Sequence, residues 1–470
     1  MVSKSLREWL RVLEQDGVLK HVGREVNLEH ELAAVGKKAC GTYAVWFDKP
    51  IGERLPKDNK IPVVTGICGN RAMFAKAMGV SAREMSGTFS EAQAHPIEPV
   101  AVPPGEAPVK AVVTRQVNLY GLPIPVHHEK DSGQYITAGV VVAKDPVTGQ
   151  RNVSIHRLQV TDKNHLGVLL LPRHLMALQR MAEKSGNPLE VAICIGLDPI
   201  ALLSSQAIAA LGFDEFGIAG ALYGEPMKLV KGETVNVEYP ANAEIVLEGR
   251  ILPNIRQPEG PFGEYPKYYG PRKEREVIEL TCMCTQKDPI YQTIVPATDE
   301  HTMLGAVARE GGILQIVQHA VPTAKAVHLT PGGTGRYHLV IQIDKKNAGE
   351  AKNAIFAAMG SSQEIKHVVV VDTDVDLFDP VDVNWAVATR CQADRDVFII
   401  PGACGNKLDP STDDGLSAKM GIDATVPMKE KGTDKFHRIR IPGEDTLRLA
   451  DYITLEQGKT SQNKKREYGG

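Results

Sequence analysis

Three features are missing from this chain: cysteines at disulfide or metal-ligand spacing, an apolar run of membrane length, and a large charge excess. The seven cysteines (Cys40, Cys68, Cys194, Cys282, Cys284, Cys391 and Cys404) are odd in number, scattered and never spaced C-x-x-C. That argues against a disulfide framework or a zinc knuckle and for a reducing cytoplasm. No uninterrupted apolar stretch nears the roughly 20 residues of a membrane span. The N-terminus opens on a charged amphipathic segment rather than an apolar signal core, so a cytoplasmic protein without a membrane partner is expected. Formal net charge is −3, too small a field to recruit nucleic acid or an anionic membrane. The one basic cluster, Lys464-Lys465-Arg466, lies in a polar tail and reads as solvated.

What is present describes a soluble, multidomain chain. Its 470 residues exceed one ordinary core, and 43% apolar with 24% charged residues is a globular balance. Ser5-Leu6-Arg7-Glu8 fits a capping box, followed by Leu6, Leu10 and Leu13 at helical spacing and a stop at Asp16-Gly17. Lys60 to Thr65 reads as a short buried strand, and the proline-rich stretch from His95 to Pro108 as a boundary. From Val109, short β-rich runs are parted by Gly, Pro and Asp, with a turn at Asp145 to Gly149; such spacing suggests a barrel or closed antiparallel sheet. Helical texture interrupts it at His174 to Ser185 and Ser204 to Leu211. After Pro296 the pattern alternates β-α-β-α-β, from HLVIQI through GEAKNAIFAAM, HVVVVDTDVD and VDVNWAVATR to DVFIIPG. The fold class is thus α+β/α/β multidomain: an N-terminal α/β domain over 1–108, a β-barrel-like domain over 109–296, a C-terminal α/β domain over 297–442, and a helix (EDTLRLADYI) with a polar tail over 443–470.

Three groups of residues could carry chemistry. In Gln257 to Glu264 (QPEGPFGE), two glycines and two prolines forbid a helix or a regular strand, so Glu259 and Glu264 sit on a rigid, tightly turned loop. Paired acids so held suit acid–base work, which requires position first and a tuned pKa second; the alternative is an ordinary solvated turn. In Asn152 to Arg157 (NVSIHR), strand alternation sends Asn152, Ser154 and His156 to one face and Val153, Ile155 and Arg157 to the other. Burying Arg157 would require a carboxylate, for which Glu259 and Glu264 are candidates; otherwise it snorkels to the surface. Asn152, His174 and Glu233 together offer an amide oxygen, an imidazole and a carboxylate, a donor set for Mn²⁺ or Mg²⁺, although no local spacing demands that they meet.

Six blocks then occur in order: PIPVHHEKDSGQYITAG (Pro123 to Gly139), N-x-S-I-x-R (Asn152 to Arg157), LPRH (Leu171 to His174), GEPMKLVKGET (Gly224 to Thr234), EGPFGEY (Glu259 to Tyr265) and SAKMGIDAT (Ser417 to Thr425). The ordered set resembles the UbiD-like decarboxylases, over nearly the whole chain from Leu6 onward. The resemblance implies a split-barrel flavin-binding domain and reversible decarboxylation of an aromatic or heteroaromatic acid with prenylated FMN. That cofactor is made by a flavin prenyltransferase, on which the chain would depend, and high bicarbonate would drive carboxylation. It further implies that Asn152, His174 and Glu233 ligate the divalent metal at the cofactor phosphate. Thr137, Ser154, Ile155, His156, Arg157 and Arg173 would line the flavin, with Ser204 and Ser205 beside a monovalent cation, K⁺ or Na⁺. Arg157, Glu259 and Glu264 match a Glu-Arg-Glu triad, with Glu264 as acid–base, Glu259 orienting Arg157, and Arg157 holding the carboxylate. The C-terminal region resembles the part through which members form dimers or hexamers.

One departure stands out: the lysine that some members place at the cofactor phosphate is matched here by Met359, so another cation must substitute or the phosphate relies on the metal. His301, Arg309 and Arg336 add donors beyond Arg157 and resemble the set of the furan-dicarboxylate decarboxylases. Against this, Arg309 could pair with Glu310 or with a domain-interface acid, and Arg336 could hold the cofactor phosphate in place of the absent lysine. Hydroxybenzoate-type acids in the same family, an FMN-dependent oxidoreductase and a non-catalytic flavin-fold scaffold are the competing readings.

Overall fold

A computed structural model describes residues 2–443, 446–448, 451 and 452. The helix expected over 444–453 falls largely outside these residues. The chain up to Thr425 is one compact unit, and 426–470 is a second. None of the described helices is long and apolar enough to cross a membrane.

The chain begins with helix Leu6–Gln15, which buries Leu6, Trp9, Leu10 and Leu13 on one face. Ser5 caps it by accepting from the Glu8 amide at 3.3 Å. Glu8 does not complete the expected reciprocal bond; its carboxylate takes the amide of Lys4 at 2.8 Å, one residue further back. Strands Leu19–Asn27 and Ala44–Ile51 pair in parallel, and Val63–Thr65 joins antiparallel. The fourth strand of that sheet, Tyr291–Gln292, arrives from far along the chain and pairs with Val63–Val64.

Six strands form a closed antiparallel barrel in the order Ile245–Glu259, Leu189–Ile195, Tyr135–Lys144, Arg151–Val160, His165–Val168 and Lys273–Thr285, the last pairing back to the first. Asp145 makes the turn between the third and fourth by accepting from the amides of Val147 and Thr148. Alternate residues of these strands feed two different cores. Val141, Ala143, Val191 and Ile193 join one cluster, while Val140, Val142, Ala192 and Cys194 join another. Both faces are therefore covered, which is why these strands read as continuous apolar runs rather than as alternation.

Helix Asp299–Ala320 follows the barrel; it was not expected from the sequence. The C-terminal layer is a five-stranded sheet in the order Ala324–Leu329, His338–Ile343, His367–Asp372, Leu416–Ala424, Val397–Cys404. Helices Glu350–Ser361 and Pro380–Arg390 connect it as the alternation predicts. Strands Ala324–Leu329 and Leu416–Ala424 are additions to that pattern.

Candidate active site

A cavity of about 510 Å³ is lined by residues of the barrel, of helix Asp299–Ala320 and of the C-terminal layer. Strand Arg151–Val160 contributes Asn152 through Arg157 to its wall. The pairing of this strand with Tyr135–Lys144 steps from Leu158 opposite Ile136 to His156 opposite Gly139. Thr137 and Ala138 therefore both oppose Arg157. Such a bulge re-aims a side chain, and the aimed residue here is the arginine.

Arg157 is clamped between the two loop acids. Its Nη2 donates to Glu259 at 2.7 Å, and its Nη1 to Glu264. Its guanidinium lies 5.1 Å over the Phe262 ring. Glu259 is fully buried behind the cavity wall and also accepts from the Tyr135 hydroxyl at 3.2 Å. Glu264 lines the cavity itself. Burial holds its carboxyl above the usual carboxylate range, against the pull of Arg157. The Nε of Arg157 is buried and unpartnered.

The loop bearing these acids is built by the PIPVHHEKDSGQY segment. Asp131 accepts from the Gly263 amide at 2.8 Å, Ser132 N donates to the Pro261 carbonyl at 3.0 Å, and Gln159 accepts from the Gly260 amide at 3.1 Å. Gly260 has φ of +90°, and a Cβ on Gly263 would stand 2.5 Å from the His128 ring. Glycine at both positions is thus a steric requirement.

At the other end of the strand the polar residues form a directed relay. Asn152 Nδ2 donates to Ser154 Oγ at 3.3 Å, and Ser154 Oγ lies 2.9 Å from His156 Nε2. His156 Nδ1 lies 3.3 Å from the Leu169 carbonyl. Burial lowers the His156 pKa to about 4, so the ring is neutral. A carbonyl only accepts, so Nδ1 carries the proton and Nε2 accepts from Ser154. The relay fixes the Asn152 amide and leaves its Oδ1 buried without a partner.

Glu215 and His174 line the same cavity. Glu215 accepts from the Val153 amide at 2.7 Å, and burial raises its pKa to about 8. An orphaned amide oxygen, a desolvated carboxylate and an imidazole are a donor set that fits a divalent cation. Glu215 carries no signal in the sequence beyond an Asp-Glu pair ahead of an apolar helix.

Glu233, the expected third ligand, is not brought there. Its carboxylate pairs with Lys110 at 3.0 Å and Arg115 at 3.5 Å, outside the cavity. Ser205 lines the cavity but Ser204 does not; Ser204 is fully buried in helix Pro199–Ser204 and donates back to the Ile200 carbonyl at 2.9 Å. Thr137 lines the wall, its Oγ1 accepting from the Ile294 amide at 3.2 Å. Met359 is a core residue, and the cation beside it is Lys419, whose Nζ donates to the Met359 and Ser362 carbonyls at 3.2 Å each.

His301, Arg309, Arg336 and Arg173 all line the cavity. Burial, then the charge of Arg336, lowers the His301 pKa to about 4, so it is a neutral donor or acceptor. The same two causes bring Arg309 down to about 9. Arg309 does not pair with Glu310, which is held by Arg71 at 2.7 Å and His328 at 3.0 Å. Its carboxylate neighbour is Glu364, at 3.5 Å, a residue the sequence did not single out.

The N-terminal, Rift-related and C-terminal domains of the 3-octaprenyl-4-hydroxybenzoate carboxy-lyase (UbiD) family match residues 10–92, 100–299 and 302–424 in turn. The anhydromevalonate phosphate decarboxylase of Methanosarcina mazei is 37% identical over 93% of this chain and 99% of its own. The gallate decarboxylase of Lactiplantibacillus plantarum is 32% identical over 83% and 85%. Among solved structures, the UbiD-class enzyme HmfF of Pelotomaculum thermopropionicum in complex with FMN superposes with a TM-score of 0.92 at 54% identity, covering 96% of this chain and all of that one. An evolved dimeric form of HmfF, in complex with prFMN, gives 0.89 at 51% identity over 96% of this chain and 100% of that one. Three consecutive domain matches, full-length relatives and the closed barrel agree: this chain belongs to the UbiD family of carboxy-lyases.

Proposed function

We propose that this chain decarboxylates a heteroaromatic dicarboxylate of the furan-2,5-dicarboxylate type, with prenylated FMN and a divalent metal, Mn²⁺ or Mg²⁺. The observation that carries the reading is one cavity lined both by Arg157, whose charge two acids offset, and by Arg309 and Arg336, which share the single acid Glu364. Arg157 serves the carboxylate that leaves. An unpaired buried cation is costly, so the second cluster calls for a second anion.

Asn152, His174 and Glu215 would hold the metal, which would in turn hold the cofactor phosphate. The prenylated flavin, when bound, supplies the electron sink that an aryl or vinylic carbanion lacks. With Glu264 protonated, the triad carries one positive and one negative charge, and the Arg157 guanidinium, which lines the cavity, would orient the substrate carboxylate. Glu259, fixed by Tyr135, keeps the guanidinium in plane. CO₂ leaves without the electron pair of the broken C–C bond, and that pair ends in the C–H bond formed when Glu264 gives its proton to the ring carbon. Leu169 and Ile294 would give the cavity an apolar wall beside the neutral His301. Both serine hydroxyls at 204 and 205 donate to carbonyls of their own helix, leaving oxygen lone pairs for a monovalent cation.

The test uses enzyme co-expressed with a flavin prenyltransferase and loaded with prenylated FMN. CO₂ release is compared for furan-2,5-dicarboxylate, 2-furoate and 3,4-dihydroxybenzoate. The dicarboxylate is expected to have the highest kcat/KM; preference for either monocarboxylate overturns the reading. Self-association is part of the proposal, supported by Ile399, 65% exposed on edge strand Val397–Cys404. Light scattering should give at least a dimer, and a monomer at assay concentration would contradict it.

A further inference from the structure

The distal end of the cavity holds three arginines and one acid. Glu364 is buried, its Oε2 lying 3.5 Å from Arg309 Nε and 3.9 Å from Arg336 Nε. Its Oε1 lies 3.8 Å from Arg173 Nη2 and accepts a hydrogen bond from Asn406 Nδ2 at 2.9 Å. Glu364 Oε2 and Arg309 Nε are both buried without a hydrogen bond. Burial opposes ionisation of Glu364, but the charges of Arg309, Arg336 and Arg173 outweigh it and keep its pKa below the usual range.

Each of the two inner arginines is hydrogen-bonded at Nη1 and faces Glu364 with Nε. Arg309 Nη1 donates to the Gly305 carbonyl at 2.6 Å, and Arg336 Nη1 to the Gly335 carbonyl at 2.9 Å. Both turn the Nε edge toward the same oxygen of Glu364. Arg336 lies across helix Asp299–Ala320 at Gly305, where a Cβ would stand 1.7 Å from its Nη2. Only glycine admits that path. With Nη1 bonded to a carbonyl and Nε facing Glu364 as an ion pair without a hydrogen bond, each guanidinium keeps an Nη2 group that makes no hydrogen bond among the described residues.

We propose that Glu364 is a positioning and specificity residue, holding Arg309 and Arg336 by their Nε edges so that their Nη2 groups form a clamp for the second carboxylate of the substrate. This rests on the dicarboxylate reading. Three arginines against one acid leave the cluster two positive charges in excess, so a carboxylate enters a site that Glu364 orders without neutralising. Asn406 extends the frame toward the reacting end. The same Nδ2 donates to the Tyr265 hydroxyl at 2.7 Å, and Tyr265 follows Glu264 in the chain and lies 5.4 Å from the Arg336 guanidinium.

Glu364→Gln keeps the shape and the Asn406 contact while removing the charge that aligns the arginines. Two effects then oppose each other, and the sign decides between them. A mere counter-charge would, when removed, strengthen attraction for the dianion and lower KM. A positioning carboxylate would, when removed, let both Nε edges swing and raise KM. The measurement is kcat and KM of flavin-loaded wild type, Glu364→Gln and Glu364→Asp for furan-2,5-dicarboxylate and for 2-furoate. We expect KM for the dicarboxylate to rise about tenfold or more in Glu364→Gln, so that the dicarboxylate preference falls by the same factor. Glu364→Asp should restore part of it. Should Glu364→Gln fail to accumulate with flavin bound, Asn406→Ala, which loosens Glu364 without altering charge, carries the test with a smaller rise in the same direction. A wild type without dicarboxylate preference overturns the substrate reading and this inference with it. A wild type with that preference, beside a variant whose dicarboxylate KM is unchanged or lower, overturns this inference alone.

Discussion

The two ends of the cavity handle charge in opposite ways. At the reacting end one arginine meets two acids through direct hydrogen bonds, Glu259 at 2.7 Å and Glu264. At the distal end three arginines meet one acid at 3.5–3.9 Å, with no hydrogen bond between them. Charge-assisted bonds of the first kind are the strong ones, and they suit a group that must not move while a proton is placed. A cluster left with excess charge is costly until an anion arrives, so it is stable enough to fold and poised to bind. The reacting end has its charges matched within the protein; on the proposed reading, the substrate's second carboxylate would complete the distal end.

The comparison can be broken at either end. The largest effect is expected from Glu264→Gln, which should lower kcat by roughly 10²–10⁴-fold while flavin, read by its absorbance, stays bound. Near wild-type turnover would remove Glu264 from the proton-donor role.

Next come the anchors that neither end supplies. Glu215→Ala and His174→Ala should lose metal and flavin together, because the ion would bridge protein and phosphate. Glu233→Ala, which breaks only ion pairs to Lys110 and Arg115, should retain both. Metal analysis and flavin absorbance on the three purified variants check this; loss in Glu233→Ala with retention in Glu215→Ala would reverse the assignment.

A smaller effect, confined to the distal end, is expected of Arg336→Ala. Losing a charge-assisted bond should cost about 1.5–3 kcal/mol in kcat/KM for the dicarboxylate and little for a monocarboxylate. An equal loss for both, accompanied by lost flavin, would place Arg336 at the cofactor.

The reacting end also predicts a pH dependence. Burial raises the Glu264 pKa, and the donor must carry its proton. Decarboxylation should therefore persist through the ordinary carboxylate range and fall as pH rises through the raised value. A kcat profile in which activity is lost on going below, rather than above, that value would contradict it.

The smallest effect is steric. A Cβ at Gly270 would stand 3.1 Å from Arg157 Nη1 and 3.4 Å from the Glu264 Cγ. Gly270→Ala should shift the pair by tenths of an ångström and lower kcat by about threefold to tenfold.

Much of the reacting end was legible in the sequence because its constraints are local. A loop with two glycines and two prolines announces its rigidity, and an arginine on the apolar face of a strand calls for an acid. The barrel was legible from the frequency of short β-rich runs. What was not legible depends on distant contacts. Helix Asp299–Ala320 is buried on most sides, including Glu300, Arg309 and Glu310, so it shows no amphipathic stripe, and its glycines at 305 and 311 read as breakers. They are packing sites: Gly305 admits Arg336, and a Cβ at Gly311 would stand 2.5 Å from the Ser86 carbonyl. Glu215 and Glu364 were missed for the same reason. Neither has a local motif, and each acquires its chemistry only when a strand, a helix and a neighbouring layer enclose it. Glu233 shows the limit of carrying a role by motif order: it sits in a conspicuous block, but its carboxylate pairs with Lys110 and Arg115 outside the cavity.

The central claim is that Glu264 delivers a proton to the carbon that CO₂ has left, in a site whose other end holds a second carboxylate. The most direct test incubates flavin-loaded enzyme with furan-2,5-dicarboxylate in D₂O and follows the product by NMR. The account predicts 2-furoate carrying one deuterium at the vacated ring position, formed by wild type and slowed by two or more orders of magnitude in flavin-loaded Glu264→Gln. Absence of 2-furoate from wild type, or labelled product from Glu264→Gln at the wild-type rate, would contradict it.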